Sequence, residues 1–414
     1  MDKAKPFGIS KRAVWEAYRK VRENRGAAGV DRESLEDFEQ DLANNLYKLW
    51  NRLASGSYFP PPVRLVEIPK AGGGKRRLGV PTVSDRVAQM VVKRALEPWV
   101  EPHFHPDSYG YRPGKSALQA VGVTRQRCWA HDYVLEFDVK RLFDEIDHGL
   151  LLRAVDKHTD CRWVRLYIER WLVAPFQQAD GTLVERTRGT PQGGVVSPLL
   201  ANLFLHYVFD KWMERNYPDN PFARYADDGV VHCRSEGEAH ALKARLAERF
   251  QACRLELHPQ KTQIVCCNVK KPLGATVAKK FDFLGYCFRP RWVQRRTGTM
   301  FVGFTPAISP GSMKRLRQEV RQWRLHRRTS VSLAALAESR NPVIRGWMQY
   351  YGAYHGSALI PVWRHIDQHI VKWVKGKYRK KGRSYQRANR WLGRVARYQP
   401  ELFVHWRMAR PFGG

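Results

Sequence analysis

The pattern that most restricts the fold of this chain lies at residues 222–233, where two short apolar runs flank the tetrapeptide ADDG at 226–229. An Asp-Gly pair between apolar runs is a strong signal for a β-hairpin. We therefore expect a strand on either side of residues 226–229 and a turn within them. Such a turn places two adjacent carboxylates, Asp227 and Asp228, at one tip of a sheet.

Residues 133–139 are predicted to form a second strand, because their side chains alternate with a period of two. The alternation puts the odd-numbered residues on one buried face and Asp138 on the face that points away from it. If this strand and the hairpin are neighbours in one sheet, Asp138 converges with Asp227 and Asp228. Taken singly, each aspartate has a simpler explanation as a cap or a solvated turn residue.

Three converging carboxylates would suit one particular chemistry. Joining nucleotides uses two divalent cations about 3.5–4 Å apart, and Mg²⁺ prefers oxygen ligands, among them carboxylates. Acidic side chains are also the minority here, since the chain has 72 Lys and Arg against 39 Asp and Glu, a formal net charge of +33. Such an excess favours a polyanionic partner, with nucleic acid the first candidate. The alternative is a basic nucleic-acid binder without catalysis.

The remaining composition narrows the class of protein. Residues 311–414 contain 23 Lys and Arg against 4 acidic residues. We therefore expect this region to make the main electrostatic contacts with a polyanionic partner. The seven cysteines include no C-x-x-C pair, which argues against a disulfide framework and a zinc module. No run is long and apolar enough to predict a membrane span or a signal peptide. We expect a protein of the bacterial cytoplasm or nucleoid that has no membrane partner.

Helical periodicity predicts further elements along the chain. We expect helices at residues 11–22, 35–53 and 84–100, and another that begins after Ser235, which forms a candidate capping box with Glu238.

Several blocks occur in an order that resembles group II intron and other non-long-terminal-repeat reverse transcriptases. They are residues 25–31 (RGAAGVD), 107–116 (DSYGYRPGKS), 137–148 (FDVKRLFDEIDH), 191–202 (PQGGVVSPLLAN), 225–228 (YADD) and 281–286 (FDFLGY). Residues 341–351 (NPVIRGWMQYY) resemble the maturase-specific domain, and residues 402–407 (LFVHWR) resemble the ending of the bacterial group without an endonuclease. Each block alone is moderately specific, whereas the ordered set is highly specific.

The resemblance implies an α+β right-hand polymerase with fingers, a palm built on an antiparallel sheet, and a helical thumb. Fingers and palm would occupy residues 1–290, with an N-terminal extension over about 1–60. The thumb, or maturase (X) domain, would follow at 291–375, and a basic, helical, DNA-binding region at 376–414. No endonuclease domain is expected.

The same resemblance implies roles in catalysis. Asp138 and Asp227 would bind two Mg²⁺ ions, for which Mn²⁺ could substitute, with the Val139 carbonyl as a further ligand and Asp228 in support. Lys261 would donate a proton to pyrophosphate. A surface lysine after a turn is the simpler explanation for Lys261.

Further residues would bind the nucleotide and primer. Lys70 and Arg76 would clamp the triphosphate, unless they belong to a solvated basic loop. Gln192 and Gly193 would line the nucleotide pocket, and Tyr225 would lie under the primer end. Phe143 would exclude a ribose 2′-hydroxyl, and its alternative is a place in the core. Arg141-Leu142 stands where the family usually has Gly-Phe, and Arg77 where it usually has Pro.

The implied function is an RNA-directed DNA polymerase that copies intron RNA into DNA by two-metal nucleotidyl transfer and assists splicing and mobility of the intron. Its partners would be group II intron RNA, a DNA target and primer, and dNTPs. Two alternatives stay open at this point. One is a domesticated reverse transcriptase that serves defence or repair, and the other is an RNA-binding splicing cofactor with a dormant polymerase.

Overall fold

A computed structural model describes residues 5–69, 74–268, 277–294, 297–378 and 384–408. The chain divides into two compact units. Unit 1 comprises Met1–Ser116, Leu135–Val231 and Gly237–Gln263, and unit 2 comprises Ala117–Val134, His232–Glu236 and Ile264–Gly414. Within the described ranges, no helix combines the length and the apolar character that crossing a membrane requires.

Helices and strands both contribute, which confirms the expected mixed α and β content. The α-helices are α1 (Lys11–Glu23), α2 (Leu35–Gln40), α3 (Leu42–Ser55), α4 (Val83–Val100), α5 (Ala117–Ala130), α6 (Leu142–Glu145), α7 (His148–Asp156), α8 (Arg162–Val173), α9 (Ser197–Leu205), α10 (Lys211–Asn216), α11 (Glu236–Ala252), α12 (Pro310–Gln322), α13 (Leu333–Tyr351), α14 (Ile360–Lys377) and α15 (Tyr385–Tyr398). Short 3₁₀ turns lie at Glu101–His103, Leu325–Arg327, Gly356–Leu359 and Val404–Arg407, and a π-helical turn at His206–Asp210 continues α9.

Within the described residues, the strands form three sheets. The strands are β1 (Val63–Pro69), β2 (Lys75–Val80), β3 (Tyr133–Asp138), β4 (Phe176–Gln177), β5 (Leu183–Val184), β6 (Phe222–Tyr225), β7 (Asp228–Cys233), β8 (Gln263–Cys266), β9 (Phe281–Phe283), β10 (Tyr286–Gln294) and β11 (Met300–Ile308). The sheet orders are β2-β1-β4-β5, β11-β10-β9 and β6-β7-β3-β8. The predicted hairpin and the predicted second strand are therefore members of one sheet, which is the arrangement that brings their carboxylates together.

The β6–β7 hairpin forms as expected, but its turn differs from the prediction. Tyr225 pairs with Asp228, so the turn consists of Ala226 and Asp227, and Ala226 adopts a positive φ of 56°. The Asp-Gly signal was wrong, because Gly229 lies inside β7. A Cβ on Gly229 would lie 2.2 Å from the Phe137 ring, so the glycine makes room for that ring within the sheet.

Strand β3 also differs from its prediction of one buried face. Val134 and Asp138 are buried like the odd-numbered residues, and only Glu136 is partly exposed. Phe137 lies 4.9 Å from Phe209 and 6.0 Å from Phe250 between ring centroids, which makes one aromatic core for unit 1. Burying a phenylalanine side chain contributes roughly 1.5–3 kcal/mol. The end of β3 that carries Asp138 is therefore anchored in well-packed structure.

Capping explains several helix boundaries. Ser10 accepts a hydrogen bond from the Ala13 amide at the start of α1, and Thr82 does the same for the Asp85 amide at the start of α4. The single helix expected at 35–53 is two helices, since Asp41 leaves helical geometry with φ −125° and ψ 46°.

Unit 2 is built mainly on helices α12 to α15. Trp363 and Trp373 are wholly buried in their shared core, to which α15 and the 3₁₀ turn Val404–Arg407 also contribute. The Asp367 carboxylate accepts hydrogen bonds from His405 Nε2 and Trp406 Nε1, each at 2.9 Å. The basic C-terminal segment is therefore packed structure, and not only a charged appendage.

Helix α5 belongs to unit 2 although it is distant from most of it in sequence. The Trp129 indole donates a hydrogen bond of 2.9 Å to the Phe304 carbonyl, and the Tyr354 hydroxyl donates one of 2.7 Å to the Leu118 carbonyl. A Cβ at Gly122 would lie 2.6 Å from the Tyr354 hydroxyl oxygen, so the absence of a side chain there permits the contact.

Candidate active site at the carboxylates of unit 1

Asp138 lies at the end of β3 and makes an ion pair with Lys261. The Lys261 ammonium donates to Asp138 Oδ2 at 2.6 Å. The backbone positions both partners, because the Asp138 carbonyl accepts from the His258 amide at 2.8 Å and the Lys261 amide donates to the His258 carbonyl at 3.2 Å. Val139 forms an isolated antiparallel bridge with Leu257 beside them. The short turn before β8 thereby places the Lys261 ammonium at the end of β3.

Lys261 is held in its charged form. Partial burial lowers the pKa of Lys261, but the hydrogen bond and charge of Asp138, followed by the charges of Asp228 and Asp227, raise it, and the net pKa lies above its ordinary value. An ammonium group that stays protonated at neutral pH can both neutralise carboxylates and donate a proton.

Asp227 and Asp228 occupy the hairpin tip that faces this ion pair. Desolvation by surrounding protein atoms raises the pKa of Asp227, and the charge of Asp138 raises it further, against the lowering effect of Lys261 and Arg76. For Asp228, desolvation and then the charges of Asp227 and Asp138 raise the pKa to about 7, although solvent reaches part of its side chain. Asp228 can therefore hold a proton that it shares by hydrogen bonding with Asp138.

The donor set fits a hard divalent cation. It consists of three carboxylates whose mutual repulsion a cation would relieve, and oxygen is the ligand atom that such cations select. Within the described part of the chain, no three acidic, histidine or cysteine side chains already stand in the close geometry of an assembled metal site. Lys261 pairs with Asp138. For a metal ion to bind at Asp138, the Lys261 side chain has to move away or share the Asp138 carboxylate with the metal.

Two predicted substrate residues, and one that sequence reasoning missed, face the same cluster. Tyr225 lies at the end of β6, and its ring centroid is 6.3 Å from that of Tyr111. Burial, then the charges of Asp227 and Tyr225, raise the pKa of Tyr111, whereas the charge of Arg76 lowers it. Arg76 on β2 is exposed and acts electrostatically on both Asp227 and Tyr111. No spacing signal singles out Tyr111 within its block.

Two other predicted nucleotide residues, Gln192 and Gly193, lie against β2. The Gly79 amide donates to the Gln192 carbonyl at 2.7 Å, and a Cβ on Gly193, whose φ is 119°, would lie 2.4 Å from the Gly79 carbonyl oxygen. The Phe143 carbonyl accepts from the Thr190 amide at 2.7 Å. Phe143 itself is half-buried, which disagrees with its alternative as a core residue. Lys70 lies outside the described residues.

Sequence reasoning also missed a buried ion pair behind the hairpin tip. Arg224 on β6 and Asp210 at the end of the π-helical turn are both fully buried and form two hydrogen bonds, of 2.7 and 2.6 Å. The available signal was one charge of each sign inside otherwise apolar segments, since such charges are buried only when paired.

Comparison with known proteins identifies the family. Residues 68–288 match the model for reverse transcriptase (RNA-dependent DNA polymerase), and residues 313–392 match the model for the group II intron maturase-specific domain. Protein YkfC of Escherichia coli (strain K12) is 37% identical over 216 residues, which cover 49% of this chain and 54% of that protein. The group II intron-encoded protein LtrA of Lactococcus lactis subsp. cremoris is 30% identical over 259 residues, covering 60% of this chain and 42% of LtrA.

A third relative is the putative COX1/OXI3 intron 1 protein of Saccharomyces cerevisiae, 28% identical over 200 residues, or 48% of this chain and 24% of that protein. The chain thus matches about half or less of the length of these curated relatives. The reverse transcriptase model alone covers more than half of the chain and contains Asp138, Asp227, Asp228 and Lys261. The resemblance inferred from the sequence blocks is confirmed, and this chain belongs to the group II intron reverse transcriptase and maturase family.

Proposed function

We propose that the chain is an RNA-directed DNA polymerase that copies group II intron RNA into DNA and assists splicing and mobility of that intron. The observation that carries this proposal is the convergence of Asp138, Asp227 and Asp228 on Lys261 inside the segment that matches the reverse transcriptase model. A splicing cofactor with a dormant polymerase would have no need to keep these carboxylates together.

The three-part division of a right-hand polymerase belongs to the same proposal. The sheet that carries the carboxylates would be the palm, the β2-β1-β4-β5 sheet and α1 to α4 would serve the fingers and N-terminal extension, and α12 to α14 would be the thumb. Residues 376–414 would form the basic DNA-binding region.

Divalent cations, Mg²⁺ by preference and Mn²⁺ as a substitute, would be held by Asp138, Asp227 and the Val139 carbonyl, with Asp228 in support. When bound, they supply activation of the primer hydroxyl and charge stabilisation on the leaving pyrophosphate.

Proton donation and substrate binding would depend on side chains of the protein. The Lys261 ammonium, released from Asp138, would donate a proton to the pyrophosphate as it leaves. Arg76 and Lys70 would hold the triphosphate, and charged hydrogen bonds to phosphate are among the strongest available to a protein. Gln192 and Gly193 would bind the nucleotide.

Phe143 would exclude the 2′-hydroxyl, and Tyr225 would support the primer end. Tyr111, which faces Tyr225 and Asp227, would lie beside the same substrate.

The proposed partners follow from charge as well as family. Intron RNA, target DNA and the primer–template are polyanions, and the cations of residues 311–414 would bind their phosphates. The proposed location is the bacterial cytoplasm or nucleoid, where such partners occur.

The test is extension of a DNA primer on an RNA template with dNTPs and Mg²⁺. Asp227→Asn should lower the rate by about 10³-fold or more, because several kcal/mol of charge stabilisation are lost. Asp228→Asn should lower it less, since Asp228 would only support the two metal ligands Asp138 and Asp227. Asp219→Asn, an exposed aspartate in the same unit, is the matched control and should keep the wild-type rate. A wild-type rate for Asp227→Asn would show that the metal assignment is wrong.

A further inference from the structure

The hairpin tip that carries Asp227 is held from behind by the Arg224 guanidinium. Besides its ion pair with Asp210, Arg224 donates from Nη1 to the Ala226 carbonyl at 3.0 Å and from Nη2 to Ser108 Oγ at 2.8 Å. It also donates from Nη1 to Asn202 Oδ1 at 3.1 Å. Arg224 thus contacts the turn itself and three other segments of unit 1 at once.

The contact with Ala226 matters because that residue adopts the left-handed conformation. A positive φ at a residue with a side chain is strained and persists only where the surroundings determine it. Arg224 supplies a fixed donor to the carbonyl of this residue, the peptide group that leads directly into Asp227. The direction of the Asp227 side chain depends on that peptide plane.

A second support closes the turn from the other side. A Cβ on Gly110 would lie 2.5 Å from the Ala226 nitrogen, so the backbone of residues 108–110 lies directly against the turn. Asn202 Nδ2 donates to the Gly110 carbonyl at 2.6 Å, while its Oδ1 accepts from Arg224. The same amide therefore ties the guanidinium to the segment that packs on the turn.

Asp210 keeps its negative charge in the ion pair with Arg224 in spite of its burial. Burial raises the pKa of Asp210, but the charge and hydrogen bonds of Arg224 outweigh this effect, and the net pKa lies below its ordinary value. Buried ion pairs contribute little net stability compared with apolar packing of the same volume. The contacts of this fully buried arginine with the turn give it a possible function that is separate from stability.

We propose that Arg224, braced by Asp210, Ser108 and Asn202, is a positioning residue that fixes the Ala226–Asp227 turn, so that the Asp227 carboxylate is aimed for divalent-cation binding. This inference rests on the proposed function, in which Asp227 is a metal ligand. Groups that orient a metal ligand typically change metal affinity or activity by roughly 10- to 100-fold when they are removed.

The experiment separates positioning from stability with two variants of the full chain. In the double variant Arg224→Met with Asp210→Leu, apolar side chains replace the pair, a change that is often neutral or stabilising. Arg224→Lys keeps a charge for Asp210 but cannot reach all four partners with one ammonium group. The matched control is Arg186→Lys, which alters another buried arginine of unit 1, bonded to the Ala174 carbonyl at 2.6 Å.

Three quantities are measured on each variant. They are melting temperature, turnover in primer extension across a Mg²⁺ series, and Mn²⁺ affinity by electron paramagnetic resonance. The last uses a dideoxy-terminated primer–template with the next dNTP, so that no turnover occurs. We expect a variant that melts like the wild type to bind Mn²⁺ about 10- to 100-fold more weakly and to need correspondingly more Mg²⁺. Arg186→Lys should change neither metal property.

Either variant that is folded but keeps wild-type Mn²⁺ affinity and Mg²⁺ dependence overturns the positioning role. If both variants melt below the assay temperature, Ser108→Ala, which removes one hydrogen bond without exposing a charge, replaces them under the same criterion. Failure of the proposed function is distinguishable, because the wild type would then extend no primer, or Asp227→Asn would bind Mn²⁺ as the wild type does.

Discussion

The Lys261 ammonium and the Asp138 carboxylate form a 2.6 Å ion pair in which the lysine is more than half exposed and the aspartate is nearly buried. An ion pair with one solvent-exposed partner is inexpensive to break. Under the proposed function, Lys261 would leave Asp138 when a divalent cation binds there, and its freed ammonium would stay beside the reacting phosphates.

Lys261→Met should consequently separate metal binding from chemistry. We expect tighter Mg²⁺ binding, because a competing cation is gone, together with a turnover at saturating Mg²⁺ that is about 10²- to 10⁴-fold lower, the usual contribution of a general acid. Primer-extension rates across a Mg²⁺ series give both quantities. Lys140→Met is the control, since Lys140 makes an exposed pair with Glu256 at 2.8 Å and should behave like the wild type. Unchanged turnover for Lys261→Met would leave the lysine as a structural counter-ion only.

Phe143→Val should relax sugar selection. The side chain is half-buried, so its truncation should cost little stability while opening space for a 2′-hydroxyl. The measurement compares kcat/KM for a ribonucleotide with that for the matching deoxynucleotide, alongside the melting temperature. A core role would instead lower the melting temperature and leave the selectivity ratio as it was.

His369 should make unit 2 less stable at acidic pH. Burial, followed by the positive charges around it, lowers the pKa of His369 to about 4. The groups responsible are His365, Lys372, His326 and Arg321. In the unfolded chain the pKa is about 6.5, so the unfolded state takes up a proton first as the pH falls. The free energy of unfolding should therefore decrease between about pH 6.5 and pH 4.

The measurement is the urea midpoint at pH 7 and pH 5 for the wild type and His369→Gln. The difference between the two pH values should shrink in the variant. His240→Gln, which changes an exposed histidine of α11, is the control and should keep the wild-type difference. An unchanged pH dependence in His369→Gln would contradict the prediction.

The exposed arginines of α15 should contribute to nucleic-acid affinity without supporting the fold. Arg390 and Arg394 lie on the solvent side of the helix, opposite buried Ala388, Leu392 and Ala396. Replacing both with Gln should flatten the log–log salt dependence of RNA binding by about 0.7–0.9 for each phosphate that an arginine no longer neutralises. Binding measured across a salt series tests this, with the melting temperature expected to stay unchanged.

Truncation after Gly376 is the contrasting change. It removes Leu392, Phe403 and Trp406 from the core of unit 2 and should lower the melting temperature together with affinity. A truncated protein that melts like the wild type would mean that these side chains add no stability.

The sequence predicted the elements that depend on local periodicity. The hairpin and its carboxylates, β3 and α4 follow from alternation, helical spacing and turn residues, and the structure has them where they were expected. The exact turn was mispredicted because Gly229 is required by the Phe137 ring, a contact between residues 92 positions apart in the numbering. Local rules treat an Asp-Gly pair as a turn and contain no information about such a neighbour.

The residues that hold the candidate site in place could not be predicted from local sequence patterns, for the same reason. Arg224 forms hydrogen bonds with Ser108, which is 116 residues away in the sequence, and with Asp210, which is 14 residues away. The burial of Val134 and Asp138 likewise depends on what packs over β3. Charge pattern could flag Arg224 as unusual, but only the assembled structure shows which groups it holds.

Unit 2 is built from segments that lie far apart in the sequence, and this has a consequence for folding during translation. Helix α5 bonds to Phe304 and Tyr354 at separations of 175 and 236 residues. At a translation rate of about 5–20 residues per second, these partners leave the ribosome roughly ten to fifty seconds after α5 does. During that interval α5 lacks the two hydrogen bonds that join it to these partners. Helix α5 would therefore be expected to stay open to a chaperone that holds nascent chains until these partners have been made.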